Sequence, residues 1–135
     1  MDIVYRKAVN SDLDGINNLI GNVFNHHLDE DFLSDNYFSV VAVYDGKIVG
    51  HLFVTKIYNA ISKKIWYKID DVCVLDQFRG QHISKNLFKK LDEIAKEDKV
   101  SFYELTSNKK RVAAHGLYKS IGFNIIDTCL FRKEL

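Results

Sequence analysis

The sequence predicts a single α/β domain, with a mixed, strongly twisted sheet of six or seven strands flanked by about four helices. Three observations lead to this fold class. Between residues 69 and 95 a short apolar strand runs into a tight turn and then an amphipathic helix. An Asp45-Gly46 pair separates two β-branched runs, as in a hairpin. A further strand follows the helix, so the fourth and fifth strands should be parallel through a right-handed crossover.

Length and composition limit the function classes. At 135 residues the chain fits one domain spanning residues 1–135, and 47% apolar residues suffice for an ordinary core. A formal charge of +1 gives no general electrostatic reason to expect a nucleic acid or membrane partner. Cys73 lies in an apolar strand far from Cys129, which favours reduced thiols in a cytoplasmic protein. The first residues lack the basic and apolar regions of a signal peptide.

The N-terminal half predicts alternating strands and helices. Residues 3–7 form a short strand, and Asn10 or Ser11 caps a helix. The apolar positions of this helix recur at helical spacing: Leu13, Ile16, Leu19 and Ile20. Residues 21–36 form a second helix or a partly ordered loop. Residues 38–44 and 47–57 form the hairpin, and residues 64–75 add a strand antiparallel to it.

The C-terminal half predicts the main helix and a late helix. One apolar stripe marks the main helix: Ile83, Leu87, Leu91 and Ile94, widened by Phe88 and Ala95. Residues 101–106 form the fifth strand. Residues 108–120 form the late helix, with Ala114 and Tyr118 on one face, Val112 opposite and Gly122 at its end. Residues 123–133 form a final strand or pair of strands.

The strand, turn and helix after residue 69 suggest an anion site. Asp70 and Asp71 are adjacent carboxylates on the strand, and Arg79-Gly80 forms the turn that opens the helix. The first N–H groups of a helix have no partners within it and lie at the positive end of its dipole. A turn that directs this terminus outward suits a phosphate or diphosphate.

The same residues resemble a known family signature. The run Arg79-Gly80-Gln81-His82-Ile83-Ser84, after an apolar strand, resembles the coenzyme-A-binding pattern Arg/Gln-x-x-Gly-x-Gly/Ala of the GCN5-related N-acetyltransferase superfamily. It departs from that pattern at His82, where the family has Gly, and at Ser84, where it has Gly or Ala. The resemblance implies acetyl-CoA as cosubstrate. The implied cofactor-binding residues are Val72, Cys73, Val74, Arg79, Gly80, Gln81, His82, Ile83, Ser84, Lys85, Asn108 and Tyr118.

A second block resembles the late helix of the same superfamily. Ala114-His115 precedes Tyr118, and Gly122-Phe123 follows it. In the family the helical tyrosine often donates a proton to the departing coenzyme A thiolate, and Tyr118 matches that position. A phenol with a pKa near ~10 is protonated at neutral pH and can serve as this acid.

The resemblance also suggests a base and a splayed sheet. Asp70 falls where some members carry a strand glutamate, and is preferred to Asp71 as the base that deprotonates the amine, directly or through water. Neighbouring strand residues point to opposite faces, so only one of the pair faces the acceptor unless a bulge intervenes. The family has such a bulge. It splays the fourth and fifth strands, and an N–H of the segment 72–74 can then polarise the thioester carbonyl.

These features predict an enzyme that transfers an acetyl group from acetyl-CoA to a primary amine of a small molecule or a peptide. The acidic loop at residues 29–35 favours a cationic amine acceptor. Lys56, Lys63 and Lys64 favour one that bears phosphate or carboxylate. A non-catalytic domain that binds or senses coenzyme A, and a protein-interaction module, are the alternatives. The family resemblance also implies a homodimer paired through sheet edges.

Three further sets of residues are assigned no chemistry. His26, His27, Asp29, Glu30 and Asp31 are metal-ligand types, but their spacing matches no known site, so no metal is expected. Cys73 lacks an adjacent base and is expected to be a small core residue rather than a nucleophile. His115 is expected to pack near the sheet.

Overall fold

Five β-strands form one mixed sheet in their order along the chain. The computed structural model describes residues 2–24, 28 and 33–135. Within these residues the strands are β1 (Ile3–Lys7), β2 (Tyr37–Tyr44), β3 (Lys47–Asn59), β4 (Lys64–Val74) and β5 (Phe102–Glu104). Neighbours from β1 to β4 pair antiparallel, whereas β4 and β5 are parallel. The mixed α/β fold class and the parallel crossover are therefore confirmed.

Three α-helices cover the two faces of this sheet. They are α1 (Leu13–Phe24), α2 (Ile83–Asp98) and α3 (Val112–Ser120). α1 packs on one face through Ile16, Leu19 and Ile20. α2 and α3 pack on the other face, and the predicted apolar stripe of α2 is buried there. None of the helices in the described part of the chain has the length and apolarity needed to cross a membrane.

The hairpin between β2 and β3 follows its sequence signal. Asp45 and Gly46 have φ angles of 48° and 74°, both in the left-handed region. A two-residue loop of this kind matches the right-handed twist of the flanking strands, and Asp-Gly adopts it readily. The prediction of a turn at this pair is confirmed.

Gly50 on β3 lets α2 approach the sheet closely. A Cβ atom at Gly50 would lie 2.8 Å from Cγ2 of Ile83 and 3.3 Å from Cδ1 of Leu87. Both contacts come from the first turns of α2. The missing side chain at Gly50 therefore sets how closely the N-terminus of this helix packs against the sheet.

Several predicted boundaries were wrong. α3 begins at Val112 rather than at residue 108, because residues 108–111 form a turn. β5 has three residues instead of six, since β4 diverges from it. No strand follows Ser120 among the described residues, although residues 123–133 have strand-like composition. A strand needs a hydrogen-bonding partner, and this segment pairs with no strand in the described part of the chain.

The predicted second helix or loop at residues 21–36 is only partly covered. Residues 25–27 and 29–32 lie outside the described residues. Most of the acidic loop and His26, His27, Asp29, Glu30 and Asp31 fall there. The described chain accordingly has five strands and three α-helices, compared with the six or seven strands and about four helices predicted.

Candidate active site

β4 and β5, the last two strands of the sheet, separate partway along β4. Their last paired residues are Lys68 and Glu104. Residues 69–74 of β4 continue beyond this point and pair only with β3. The predicted splay between the fourth and fifth strands is therefore confirmed, and it leaves residues 72–74 of β4 without a strand partner on the side that faces β5.

A bulge in β4 lies at the splay. His51 faces Cys73 whereas Phe53 faces Asp70, so β4 has one more residue than β3 in this stretch. Asp71 takes up the extra length with a φ of 52°. A β-bulge bends its strand and redirects the side chains that follow it.

Two buried polar side chains hold the bulge. His51 is 1% exposed and lies 2.9 Å from the Asp71 carbonyl through Nδ1 and 2.9 Å from the Ser39 hydroxyl through Nε2. Because a carbonyl only accepts, Nδ1 carries the proton and Nε2 accepts from Ser39. Burial lowers the pKa of His51 to about 4, so the ring is neutral. Sequence reasoning missed this pair, although a lone histidine in an apolar strand was a signal.

The turn before α2 keeps the path expected of a glycine-rich loop. Gly80 has a φ of 77°, and His82 a φ of 61°. His82 thus adopts the left-handed conformation at the position where the family pattern has glycine, and its side chain is exposed. The side chain of His82, the N-cap residue of α2, makes no capping hydrogen bond to the first turn of the helix. The N–H groups of its first turn are therefore available to an outside acceptor.

A cleft of about 840 Å³ extends from this turn to α3. Its walls come from the end of β4, the turn, the first turn of α2, and α3. Four basic residues line it, and no carboxylate does among the described residues: Arg79, Lys85, Lys110 and Arg111. Lys110 and Arg111 were not predicted as site residues, although the basic run before α3 was a visible signal. The cleft suits an extended anionic molecule.

Tyr118 lines the inner part of this cleft. It is 8% exposed, and its ring packs edge-on against Phe88 and Phe123 at centroid distances of 6.3 and 5.7 Å. Burial raises the pKa of Tyr118 above its ordinary value, and the charge of Arg111 partly opposes this. Its hydroxyl has no hydrogen-bond partner among the described residues. The phenol is therefore protonated at neutral pH and free to donate.

The two candidate carboxylates lie outside the cleft lining. Ile69 packs against α2, so Asp70 points to the opposite face of β4, where its carboxylate is 3.8 Å from Nζ of Lys68. Asp71 occupies the bulge. Tyr118 and Asp70 thus lie on opposite faces of the sheet. The gap between the diverging strands β4 and β5 connects the two faces.

The other predicted residues divide into two groups. The cleft is lined by nine of them: Val72, Cys73, Val74, Arg79, Gly80, His82, Ile83, Ser84 and Lys85. Gln81 is exposed in the same turn without lining the cleft. Asn108 accepts a hydrogen bond from the Lys110 N–H at 2.9 Å, which stabilises the turn before α3. A contact of Gln81 or Asn108 with the cofactor remains a prediction.

Cys73 lines the cleft but is not suited to act as a nucleophile. Cys73 packs with α1, and burial raises the pKa of its thiol to about 12, which makes it a poor nucleophile. In the described part of the chain, no three potential metal ligands cluster. The histidines and carboxylates of residues 26–31 lie outside that part.

A family model matches most of the chain. The description of that family is "Acetyltransferase (GNAT) family", and the match covers residues 14–123. Among curated protein sequences there was no match.

Solved structures share the fold along the full length. An aminoglycoside acetyltransferase from an uncultured soil metagenomic sample superimposes with a TM-score of 0.87 at 18% identity, covering 100% of this chain and 99% of the other. A Trypanosoma brucei acetyltransferase gives 0.80 at 23% identity, covering 99% and 100%. AAC(6')-Iy bound to a coenzyme A bisubstrate analogue gives 0.88 at 15% identity, covering 100% and 99%. These likenesses establish the fold.

Proposed function

Because the chain belongs to the acetyltransferase (GNAT) family, we propose that it transfers an acetyl group from acetyl-CoA to a primary amine of a small molecule. The observation that carries this proposal is the cationic cleft that joins an uncapped helix N-terminus to Tyr118. In the reaction a C–N bond forms at the thioester carbonyl as the C–S bond breaks. The products are an N-acetyl amine and free coenzyme A.

The turn and the start of α2 would bind the diphosphate. α2 has 16 residues, and its uncapped first turn presents N–H groups at the positive end of the helix dipole. The left-handed residues Gly80 and His82 allow successive N–H groups of the turn to face an anion. Lys85 and Arg111 on the cleft wall add positive charge. These groups suit a diphosphate without a metal ion.

The free edge of β4 would hold the pantetheine arm. Residues 72–74 pair with no strand on the side facing the splay, which suits the amides of an extended ligand. An N–H in the segment 72–74 would then polarise the thioester carbonyl. His51 fixes the Asp71 carbonyl from the other side, so the bulge is formed before any ligand arrives.

Tyr118 would act as the general acid. Its pKa is raised, so the phenol carries its proton throughout the neutral range. The departing thiolate of coenzyme A has a pKa near ~8.5 and needs only modest assistance. Proton donation from the phenol yields the free thiol.

Asp70 would act as the base, directly or through a water molecule. A primary ammonium with a pKa near ~10.4 must lose a proton before its nitrogen can attack. Asp70 lies on the α1 face of β4, so an amine that enters the splay from that face would meet it. Asp71 is the alternative base at the bulge.

The charge distribution favours a cationic amine as acceptor. Nζ of Lys56 lies 3.3 Å from the Asp98 carboxylate, which balances its charge. Lys64 begins β4 and Lys63 precedes it, so both lie about 20 Å along the strand from Asp70 at the usual rise per residue. These lysines therefore give little reason to expect an anionic acceptor. Two solved structures of this fold are described as aminoglycoside acetyltransferases, and aminoglycosides are cationic amines of the favoured kind.

Acetyl transfer is tested by thiol release from acetyl-CoA with polyamines, aminoglycosides, amino acids, amino sugar phosphates and basic peptides. Binding of coenzyme A should raise the midpoint of thermal unfolding. At a ligand concentration of about 100 Kd, the free energy of unfolding should rise by about 2.7 kcal/mol. Turnover with a cationic amine is expected. Tight binding without turnover on any amine would favour a coenzyme A sensor, and no midpoint shift at millimolar ligand would contradict the proposal.

Both cysteines are free, which suits the cytoplasmic location we propose.

A further inference from the structure

Ser39 on β2 and His51 on β3 form a polar pair inside the sheet. They are 0% and 1% exposed, and the Ser39 hydroxyl lies 2.9 Å from Nε2 of His51. Burying polar groups in an apolar core costs free energy even when they are paired, and two apolar side chains of similar size would avoid that cost. The remaining contact of the pair, from Nδ1 of His51 to the Asp71 carbonyl, indicates what it does.

The Asp71 carbonyl belongs to the peptide group that joins Asp71 to Val72. His51 lies on the α1 face of the sheet, together with its cross-strand partners Val41 and Cys73. The peptide bonds of the described residues are trans, so the C=O and N–H of one peptide group point in opposite directions. Because the carbonyl points to His51 on the α1 face, the Val72 N–H points to the face that carries α2 and α3.

The cleft lies on that second face, and Val72 lines it. The bulge leaves Asp71 and Val72 without partners on β3. On the other side β5 has already diverged, since its last pair with β4 is at Lys68. The Val72 N–H is therefore directed into the cleft at a point where neither neighbouring strand pairs with Val72.

The order of donors along β4 assigns the thioester to Val72. The Leu75 N–H donates to the Val49 carbonyl at 2.9 Å, so the Val74 N–H faces the splay, because these groups alternate along an antiparallel strand. A pantetheine arm that starts at the turn after β4 passes Val74 first and then Val72, two residues from Asp70. Val74 therefore suits an amide of the arm, and Val72 suits the carbonyl that the amine attacks.

We propose that His51 is a positioning residue for acetyl transfer, which directs the Val72 N–H at the thioester oxygen by holding the Asp71 carbonyl. This inference rests on the proposed function and adds to it two residues that do not line the cleft. Ser39 keeps the imidazole ring in place by donating to Nε2. Hydrogen bonds at the two ends of a peptide group polarise one another, so the donor on the carbonyl also makes the N–H a stronger donor.

The effect falls on the transition state. As the C–N bond forms, the carbonyl electron pair moves onto oxygen, and it returns as the C–S bond breaks. An N–H that is already aimed at this oxygen stabilises the charge without reorganising during the reaction. Loss of the His51 contact should therefore lower kcat more than it raises KM for acetyl-CoA.

Two substitutions at His51 separate this role from packing. The side-chain amide nitrogen of asparagine reaches the position of Nδ1, whereas that of glutamine reaches the position of Nε2. His51→Asn therefore keeps a donor for the Asp71 carbonyl, and His51→Gln removes it. We expect kcat to fall about tenfold to a hundredfold in His51→Gln, less than when an oxyanion donor is deleted, because the N–H is misdirected but still present. His51→Asn should recover most of this loss, and KM for acetyl-CoA should stay within about twofold in both variants.

A measurement on the wild type requires no variant to fold. The probe is an acetyl-CoA analogue with a methylene group in place of the thioester sulfur, which keeps the carbonyl but cannot transfer the acetyl group. In ¹H–¹⁵N spectra, this analogue should move the Val72 amide proton downfield relative to coenzyme A, and by more than the amide proton of Val74. The shift should shrink in His51→Gln and return in His51→Asn.

Three results would overturn the proposal: a larger shift at Val74 than at Val72, equal kcat in His51→Gln and wild type where chemistry limits the rate, or equal losses of kcat in the two His51 variants. A protein that binds the analogue but acetylates no amine would instead contradict the proposed function. The Val72 shift would still test the role of His51 in that case. Failure of the analogue to bind would contradict both.

Discussion

Tyr118→Phe should remove most turnover while leaving the fold intact. The substitution deletes one hydroxyl from a ring held edge-on between Phe88 and Phe123. That hydroxyl has no hydrogen-bond partner among the described residues, so its loss leaves no buried group unpaired. The change in unfolding free energy should therefore stay within about 1 kcal/mol.

The size of the kinetic effect follows from the leaving group. General acid catalysis contributes about 10² to 10⁴ in rate. A thiolate with a pKa near ~8.5 needs less help than an alkoxide, so the lower end of this range applies. We expect kcat to fall about a hundredfold, equal to about 2.7 kcal/mol of transition-state stabilisation. KM for acetyl-CoA should change less than about twofold, because the cleft wall is preserved.

The pH dependence of kcat gives an independent test of this role. The acid form of Tyr118 is the active one, and its pKa is raised above the ordinary value of 10.0. Wild-type kcat should therefore not fall between about pH 7 and pH 9, and any fall at higher pH that belongs to Tyr118 should be missing in the variant.

Steady-state kinetics of thiol release, with Tyr58→Phe as control, would measure these effects. Tyr58 is 63% exposed at the end of β3, away from the cleft, and its variant should retain wild-type kcat. Equal kcat in Tyr118→Phe and wild type, under conditions where chemistry limits the rate, would refute the assignment of Tyr118 as the acid.

Substitutions at three further positions test the local geometry. His51 has a folded pKa of about 4 against 6.5, so it binds a proton more readily when unfolded. The free energy of unfolding should therefore fall by roughly 3 kcal/mol as pH drops from 6.5 to 4. His51→Gln should reduce this pH dependence, measured by urea unfolding. An unchanged pH dependence in the variant would contradict the role of His51. His82→Gly should keep coenzyme A affinity and His82→Val should lower it in calorimetry, since glycine adopts a φ of 61° without strain whereas a β-branched residue does not. Equal losses would argue against a backbone role. Gly50→Val should cost about 1–3 kcal/mol of unfolding free energy by displacing α2, and a neutral result would contradict the close contact.

The elements with strong local signals could be predicted from the sequence. The Asp45-Gly46 turn and the stripe of α2 depend on residues close together in the chain, and both were found as expected. The turn between β4 and α2 could be predicted because strand, turn and helix adjoin in sequence. The family resemblance predicted the splay between the fourth and fifth strands and identified Tyr118 as the candidate acid.

The contacts that shape the bulge could not be predicted in the same way. His51 bonds to Ser39 and to the Asp71 carbonyl, which are 12 and 20 residues away in sequence. No local pattern encodes such pairings, because they arise only when three strands align. The wrong prediction of a final strand has a related cause. The composition of residues 123–133 indicates an extended conformation but does not indicate which sheet edge, if any, is available to it.

Calorimetric titration with coenzyme A and with pantetheine tests the central claim most directly, because pantetheine lacks the diphosphate. If main-chain groups of the turn and of α2, together with the basic cleft, bind the diphosphate, coenzyme A should bind far more tightly than pantetheine. That difference should shrink as salt concentration rises. Equal affinities for the two ligands, or no binding of coenzyme A, would contradict the account.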